Sequence, residues 1–239
     1  MDIDTVHDEL VIPNPFAQAI LFFRAGAKGE EPPIRMIQGP KTMLHYTDSL
    51  TVDDVNGEVY TPQRHTNSIL VFKREPGGDV APIRVLNGPK TEMDRPMSIA
   101  VDPVNHLVAV SGPSGLLIFN RTDNGDVAPK WVLVGPKTGL AEGEGANSEV
   151  ALYPKGKKII VAGGSRPDPS NRYQTGVPQV RVWNYGDNGN VAPWAVLTSS
   201  AITQLRASAG NLAINPEDAE LIMTNSGGIY VFRIPELFQ

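Results

Sequence analysis

Short apolar runs punctuate the chain at long intervals: ILFF at 20–23, ILVF at 69–72, LLIF at 116–119, VRVW at 180–183 and IYVF at 229–232, with starts 49, 47, 64 and 49 residues apart. Runs this short, bounded by turn residues and rich in β-branched and aromatic side chains, predict strands rather than helices. Each of the first four is followed by a variant of one stretch: GEEPPIRMIQGPKT (29–42), GDVAPIRVLNGPKT (78–91), GDVAPKWVLVGPKT (125–138) and GNVAPWAVLTSSAI (189–202), which align without a gap. A third element precedes the runs as SLTVDDVNGEVYT (49–61), SIAVDPVNHLVAV (98–110), EVALYPKGKKIIVAG (149–163) and NLAINPEDAELIMT (211–224), with MDIDTVHDELVI (1–12) as a shorter first copy.

The unit reads as four short antiparallel strands. SIAVD is a strand, PVN a turn and HLVAV a second strand, which makes a hairpin. GLLIF is the third strand, a Gly-containing turn follows, and APIRVL is the fourth. Four strands repeated about every 45–50 residues predict an all-β chain, a β-propeller of five sequence repeats in one domain. The repeats cover roughly 1–42, 43–91, 92–138, 139–202 and 203–239. Pro82, Pro129 and Pro193 suit the start of an outer edge strand, where a missing N–H is tolerated. Thr51, Ala100, Ala151 and Ala213 form a column of small side chains, as crowded inner strands require. The fifth copy ends at VFRIPELFQ without an outer strand, and the first inner strand is a stub. The expectation is a five-bladed propeller with one imperfect blade, or part of a larger one that an upstream segment would complete. An incomplete blade leaves a strand edge open to another chain.

The pattern SIAVDPVNHLVAV…GLLIFNRT resembles NHL-repeat propellers over essentially the whole length, and the GDVAPIRVL.GPKTGL tail resembles a bacterial NHL-like subgroup. The Asp-Thr-x-Asn-Arg loop usual after the second strand is replaced here by TPQRHTNS, VSGPSG and TNSGG. The resemblance implies a propeller used for binding or scaffolding. Similar propellers also include lyases and lactonases, so the fold does not choose the activity.

Composition narrows the chemistry. The chain has 239 residues, a formal net charge of -5 and no cysteine. Disulfides, thiolate catalysis and cysteine-held zinc are excluded, and mild acidity argues against nucleic acid as a partner. No apolar run is long enough for a membrane-spanning helix. The compartment stays open: extracellular or periplasmic for a trimmed product, cytoplasmic otherwise. Gly-Pro-Lys-Thr, at Lys41, Lys90 and Lys137, has the ending of a phosphate loop. Proline interrupts it and no helix follows, so it reads as the connector from one blade to the next.

Strand alternation sorts the loops onto two faces. Asp79, Asp126 and the hairpin-turn acids are expected on one face, and the Gly-Pro-Lys-Thr lysines on the other. The second face carries the candidate binding residues Arg64, Arg95, Arg166, Arg172, Tyr173 and Arg206, poised for a protein, glycan or other anionic partner. Two insertions, 140–148 and 165–178, enlarge it. Ser49, Ser98, Glu149 and Asn211 are expected at the mouth of an axial channel, where Glu149 and Asn211 could contribute oxygen to Ca²⁺ or Mg²⁺. Two serines are poor ligands, so no metal site and no cofactor is assigned. No catalytic set emerges: His7, His45, His65 and His106 show no ligand spacing, and no serine has a histidine partner. The favoured reading is a non-enzymatic binding or scaffold propeller. The alternatives are a metal-assisted hydrolase, lactonase or lyase at the channel mouth, and self-association through the open blade edge.

Overall fold

A computed structural model describes residues 1–140, 148–164, 178–198, 212–225 and 228–239. The first sheet comprises β1 (Asp2–Asp4), β2 (Glu9–Asn14), β3 (Ala19–Arg24) and β4 (Arg35–Gln38). The second holds β5 (Thr51–Asp53), β6 (Glu58–Gln63), β7 (Ser68–Lys73) and β8 (Arg84–Asn87), and the third β9 (Ser98–Asp102), β10 (Leu107–Gly112), β11 (Gly115–Asn120) and β12 (Trp131–Leu133). The fourth holds β13 (Ser148–Tyr153), β14 (Lys158–Gly164), β15 (Pro178–Asn184) and β16 (Ala195–Leu197). The fifth has three strands, β17 (Leu212–Asn215), β18 (Glu220–Asn225) and β19 (Gly228–Arg233). Strands follow chain order in every sheet and the described pairings are antiparallel. The protein is a five-bladed β-propeller. The first inner strand is no stub: β1 has three residues, as β5 does, and pairs with β2.

The hairpin between the first two strands has a local cause. Asp4, Asp53 and Asp102 are fully buried at the end of the inner strand. Their Oδ1 atoms accept the N–H groups of His7, Asn56 and Asn105 at 3.0, 2.8 and 2.9 Å, which closes an Asx turn. One residue per turn then takes a left-handed backbone: Asp8, Gly57, His106, Lys157 and Ala219. Asp4, Asp53 and Asp102 are therefore structural.

The chain divides into two compact units, 1–108 with 119–129, and 109–118 with 130–239. In the first, the inner strand β5 packs beside β1 and β9. Its core joins Val11, Ile20, Phe22 and Ile37 of one sheet to Leu50, Val59, Leu70 and Phe72 of the next. In the second, β13 packs beside β17, and Ile160, Val180 and Val182 meet Leu221, Met223 and Leu237.

The Gly-Pro-Lys-Thr stretches are inter-repeat sockets. Pro40–Thr42, Pro89–Thr91 and Pro136–Thr138 each form a single 3-10 turn. The backbone N–H of Lys41, Lys90 and Lys137 donates to Asp79, Asp126 and Asn190 of the following repeat at 2.7, 2.7 and 2.8 Å. The lysine side chains are exposed. Glycine is obligatory before the proline. A Cβ on Gly39 or Gly88 would lie 2.5 Å from the inserted carboxylate, and φ there is 137° and 133°.

Beside each socket the following repeat lies along the outer strand as an isolated parallel bridge: Ile37 with Gly78, Leu86 with Gly125, Leu133 with Gly189. Asn124 and Asn188 add side-chain acceptors for the N–H of Val85 and Val132. The connection between third and fourth strands is thus no tight turn. It crosses to the preceding blade, which brings Asp79 and Asp126 to the Gly-Pro-Lys-Thr end and corrects the expected separation of acids from lysines. The fourth strands begin at Arg84 and Trp131, two residues after the prolines expected to open them.

Buried charge joins the first three blades. Glu9 binds Arg35 at 2.5–2.6 Å and Arg74 of the next repeat at 2.6 Å. One repeat on, Glu58 binds Arg84 and Arg121, each at 2.6 Å, and accepts from Tyr60 Oη at 2.7 Å. In the third repeat the columns of Glu58, Arg84 and Arg121 hold Leu107, Trp131 and Tyr185, and the two rings lie 6.4 Å apart. In the fourth, Tyr153 stands in the aspartate column and packs edge-on against Phe238 at 5.1 Å. The Arg35 hydrogen bond, helped by Arg74, holds Glu9 below the ordinary glutamate range. For Glu58, burial pushes upward, but hydrogen bonds from Arg84 and Tyr60 outweigh it and the net shift is downward.

Asp126→Ala removes the acceptor of the Lys90 N–H and is expected to cost about 1–2 kcal/mol, whereas Lys90→Ala stays within about 0.5 kcal/mol, both read by urea unfolding. Glu58→Ala leaves the largely buried Arg84 without its carboxylate and Arg121 with Asp53 alone, at 3.5 Å, and is expected to cost about 3–5 kcal/mol. The triple replacement Glu58→Leu, Arg84→Trp, Arg121→Tyr, which copies the third repeat, should cost less than Glu58→Ala alone. Because Glu9 and Glu58 are depressed in the folded state, their stabilisation is complete above the ordinary value of 4.5 and is lost as pH falls below it. In the triple variant the slope of stability against pH in that acid range should be shallower.

Candidate functional site

In the first unit, loops joining second to third strands meet those joining successive blades, as strand alternation requires. Phe16 lies between β2 and β3, His65 between β6 and β7, and His45 and Tyr46 between β4 and β5. Their rings form a continuous edge-to-face series: Phe16 to Tyr46 at 6.4 Å, Tyr46 to His65 at 5.6 Å, and His65 to His45 at 5.3 Å. Phe16 is 90% exposed and Met43 nearby 55%. A shallow hollow beside them is lined by Ala17, Gln18, Gln38, Pro40 and Met43. Exposed aromatic surface on rigidly held loops is a binding feature more than a stabilising one.

The backbone that presents these rings is held in a sparsely populated conformation. Tyr46 has φ of 56°, and Arg95, its counterpart one repeat on, 44°. Left-handed backbone at a bulky side chain is unfavourable by roughly 1–2 kcal/mol. The His45 N–H donates to Gln63 Oε1 at 2.6 Å, and the Arg95 N–H to Asn67 Oδ1 at 2.9 Å. Buried Gln63 also binds Thr47 and Thr61, so its amide ties the loop to the sheet.

Two of the binding arginines expected from the sequence lie among the described residues. Arg64 stands in the β6–β7 loop beside the aromatic series and faces Asp48 at 3.8 Å. Arg95 pairs with its neighbour Asp94 at 3.3 Å. These acids temper the positive character expected of the face. Arg166, Arg172, Tyr173 and Arg206 lie outside the described residues. Of the channel-mouth set, Ser98 is buried at the start of β9, Ser49 is half-buried just ahead of β5 with its carbonyl accepting from Thr61, and Glu149 is half-buried on β13. Asn211 lies outside the described residues. Among the described residues, no three histidines or acids gather as a metal cage.

Sequence reasoning passed over two features. His45 and His65 are in ring contact although separated in sequence. The signal was their shared face, which the repeat register supplied. The second is Arg181, in the second unit. It occupies the third-strand column of Leu21, Leu70 and Leu117 and is 2% exposed. Its Nη2 donates to Gln179 Oε1 at 2.6 Å, and Nη1 has no partner among the described residues. Burial pushes the guanidinium below the ordinary arginine range. Its Nε would lie 3.0 Å from a Cβ on Gly139, which is the left-handed cap of the third socket. Arg181→Leu restores the column and removes a buried charge whose printed partner among the described residues is Gln179 alone. It is expected to stabilise the fold by about 1–3 kcal/mol, measured by thermal and urea unfolding at neutral pH.

No protein-family model matches the chain, and no curated protein sequence matches it. Among solved structures, the chain is similar to Kuenenia stuttgartiensis hydrazine synthase, with a TM-score of 0.62, 13% identity and 93% of this chain covered. The chain spans about half, 54%, of the length of that protein. At this identity the likeness extends to the propeller fold and stops there.

Proposed function

We propose that the protein is a non-enzymatic binding propeller that engages a protein or glycan partner on the loop face of its first unit. The observation that carries the reading is the exposed series Phe16, Tyr46, His65 and His45, in ring contact and presented partly by left-handed backbone. Phe16 and Tyr46, 90% and 39% exposed, keep aromatic surface open to solvent, which suits a sugar ring or a proline ring. Gln18, Gln38 and Arg64 flank them with hydrogen-bond donors for the polar rim of such a partner. The resemblance to NHL-repeat propellers points the same way.

The test is a glycan array and a proline-rich peptide library probed with the intact chain. Binding on either is expected to weaken by about 2 kcal/mol in Phe16→Ala and in Tyr46→Ala, with unfolding midpoints unchanged for Phe16→Ala. Binding unaffected by both substitutions would overturn the assignment of this face. A stoichiometric divalent ion in the purified protein, lost in Glu149→Ala, would select the metal-assisted hydrolase or lyase reading instead.

A further inference from the structure

We propose that the hairpin turn of the fourth repeat and the tryptophan beside it form a binding site for an oligosaccharide of uronic acids, sugars that carry one carboxylate per ring. The site lies in the second unit and shares no residue with the aromatic series of the first. Pairing within the sheets aligns the turns between first and second strands: Asp4 faces Glu9, Asp53 faces Glu58, Tyr153 faces Lys158 and Asn215 faces Glu220. The turns read DTVHDE (4–9), DDVNGE (53–58), DPVNHL (102–107), YPKGKK (153–158) and NPEDAE (215–220). Four of the five carry at least one acid and neither lysine nor arginine, whereas the fourth has three lysines and no acid. Turn chemistry accounts for aspartates, which accept backbone N–H groups, but it does not account for lysines. Lys157 even holds the left-handed position, with φ of 50°, where glycine or asparagine is favoured. Tyr153 replaces the aspartate at the base of the turn, and Gly156 makes room for it: a Cβ there would lie 2.4 Å from Tyr153 Cε1. Lys155 and Lys157 are exposed, and neither has an acidic partner among the described residues.

Aromatic surface adjoins these lysines. Lys158 Nζ lies 3.9 Å from the centroid of the Trp194 ring and donates to Asn184 Oδ1 at 2.6 Å. Trp194 is 53% exposed, whereas Trp183 is fully buried. That exposure belongs to the repeat itself. Ile34 and Ile83 stand in the same column, just ahead of the fourth strand, and are 57% and 42% exposed although a further repeat follows each. Beside the turn, the Tyr185 N–H donates to the Lys157 carbonyl at 2.9 Å. The Tyr185 ring lies 6.4 Å from that of Trp131, and Lys130 Nζ sits 4.8 Å from the Trp131 centroid. Two lysine–tryptophan pairs thus accompany one basic turn, enough for more than a single sugar.

Charge and shape select the occupant. A pyranose ring packs its C–H groups on an indole, and a carboxylate at its edge reaches an ammonium group. Protein–protein interfaces favour arginine over lysine, and the turn holds lysines alone. The planar arginine fork that suits sulfate and phosphate is absent for the same reason. The basic surface is also bounded. β13 packs beside β17, whose turn presents exposed Glu217 and Asp218. A densely charged polyanion such as nucleic acid would run onto these acids. A chain with one charge per sugar meets the lysines without that repulsion, and its uncharged ring faces remain free to stack on Trp194.

The experiment is isothermal calorimetry of the intact chain with tetramers of galacturonic, glucuronic and mannuronic acid, and with cellotetraose as the neutral control. At least one acidic tetramer is expected to bind saturably, and at least about tenfold more tightly than cellotetraose. Lys155→Glu with Lys157→Asp copies Glu217 and Asp8 of other repeats and should weaken that binding at least about tenfold. Trp194→Ile, which copies Ile34 and Ile83, should weaken it by a similar factor and serves as the second variant if the double replacement does not fold. Phe16→Ala should leave it unchanged. Absence of binding by all three acidic tetramers, equal binding of cellotetraose, or binding unchanged in both turn and tryptophan variants overturns the proposal. So does loss of binding in Phe16→Ala alone, which would put the sugar on the loop face. Tighter binding of oligo-dT or of a polyglutamate peptide, abolished by the same variants, also overturns it, because the surface would then serve nucleic acid or an acidic protein.

Discussion

The hydrogen bond from a Gly-Pro-Lys-Thr backbone amide to the next repeat's Asp or Asn is the contact on which the blade-to-blade order depends. A blade of four short strands buries little by itself and must be held at one position against its neighbour. Asp79, Asp126 and Asn190 do this by entering a space that glycine alone leaves free. The flanking parallel bridges cover the outer strands, whose free N–H and C=O groups would otherwise face solvent. One short motif therefore positions the next blade and protects an edge. Where the motif is absent, after β16, no matching Gly-Asp turn follows in the fifth repeat.

The second tier of contacts drifts along the chain while its position holds. Two repeats use a buried glutamate with two arginines, and the third places leucine, tryptophan and tyrosine in the same columns. Buried ion pairs and apolar clusters of like volume are close in free energy, so such exchanges are tolerated when all members change together. Arg181 is an exception, a single charged replacement in a leucine column that Gln179 satisfies only in part among the described residues. The irregular positions, Arg181 and the aromatic loops, are where the repeat has been released from purely structural demands.

Much of this was legible in the chain before any coordinates. The period, the four-strand unit and the connector role of Gly-Pro-Lys-Thr came from self-similarity, because equivalent residues must solve the same local problem. The three strands of the fifth sheet were visible in the same alignment. The crossing of the third-to-fourth connection was not: Gly-Asp and Asn-Gly look the same in a tight hairpin turn as in a longer segment that reaches the neighbouring blade. Contact between His45 and His65 was only half legible: the repeat register put both on one face, but a shared face does not bring two rings together.

Local pattern by itself determined which segments are strands and how they pair within a blade, since alternation and turn chemistry act over a few residues. The tertiary structure decided burial and exposure. Ile20 and Ile229 sit in apolar runs that look alike, yet one is sealed and the other is largely open. The difference lies in whether a fourth strand covers them, and that depends on a neighbour supplied from elsewhere in the chain rather than on the run itself.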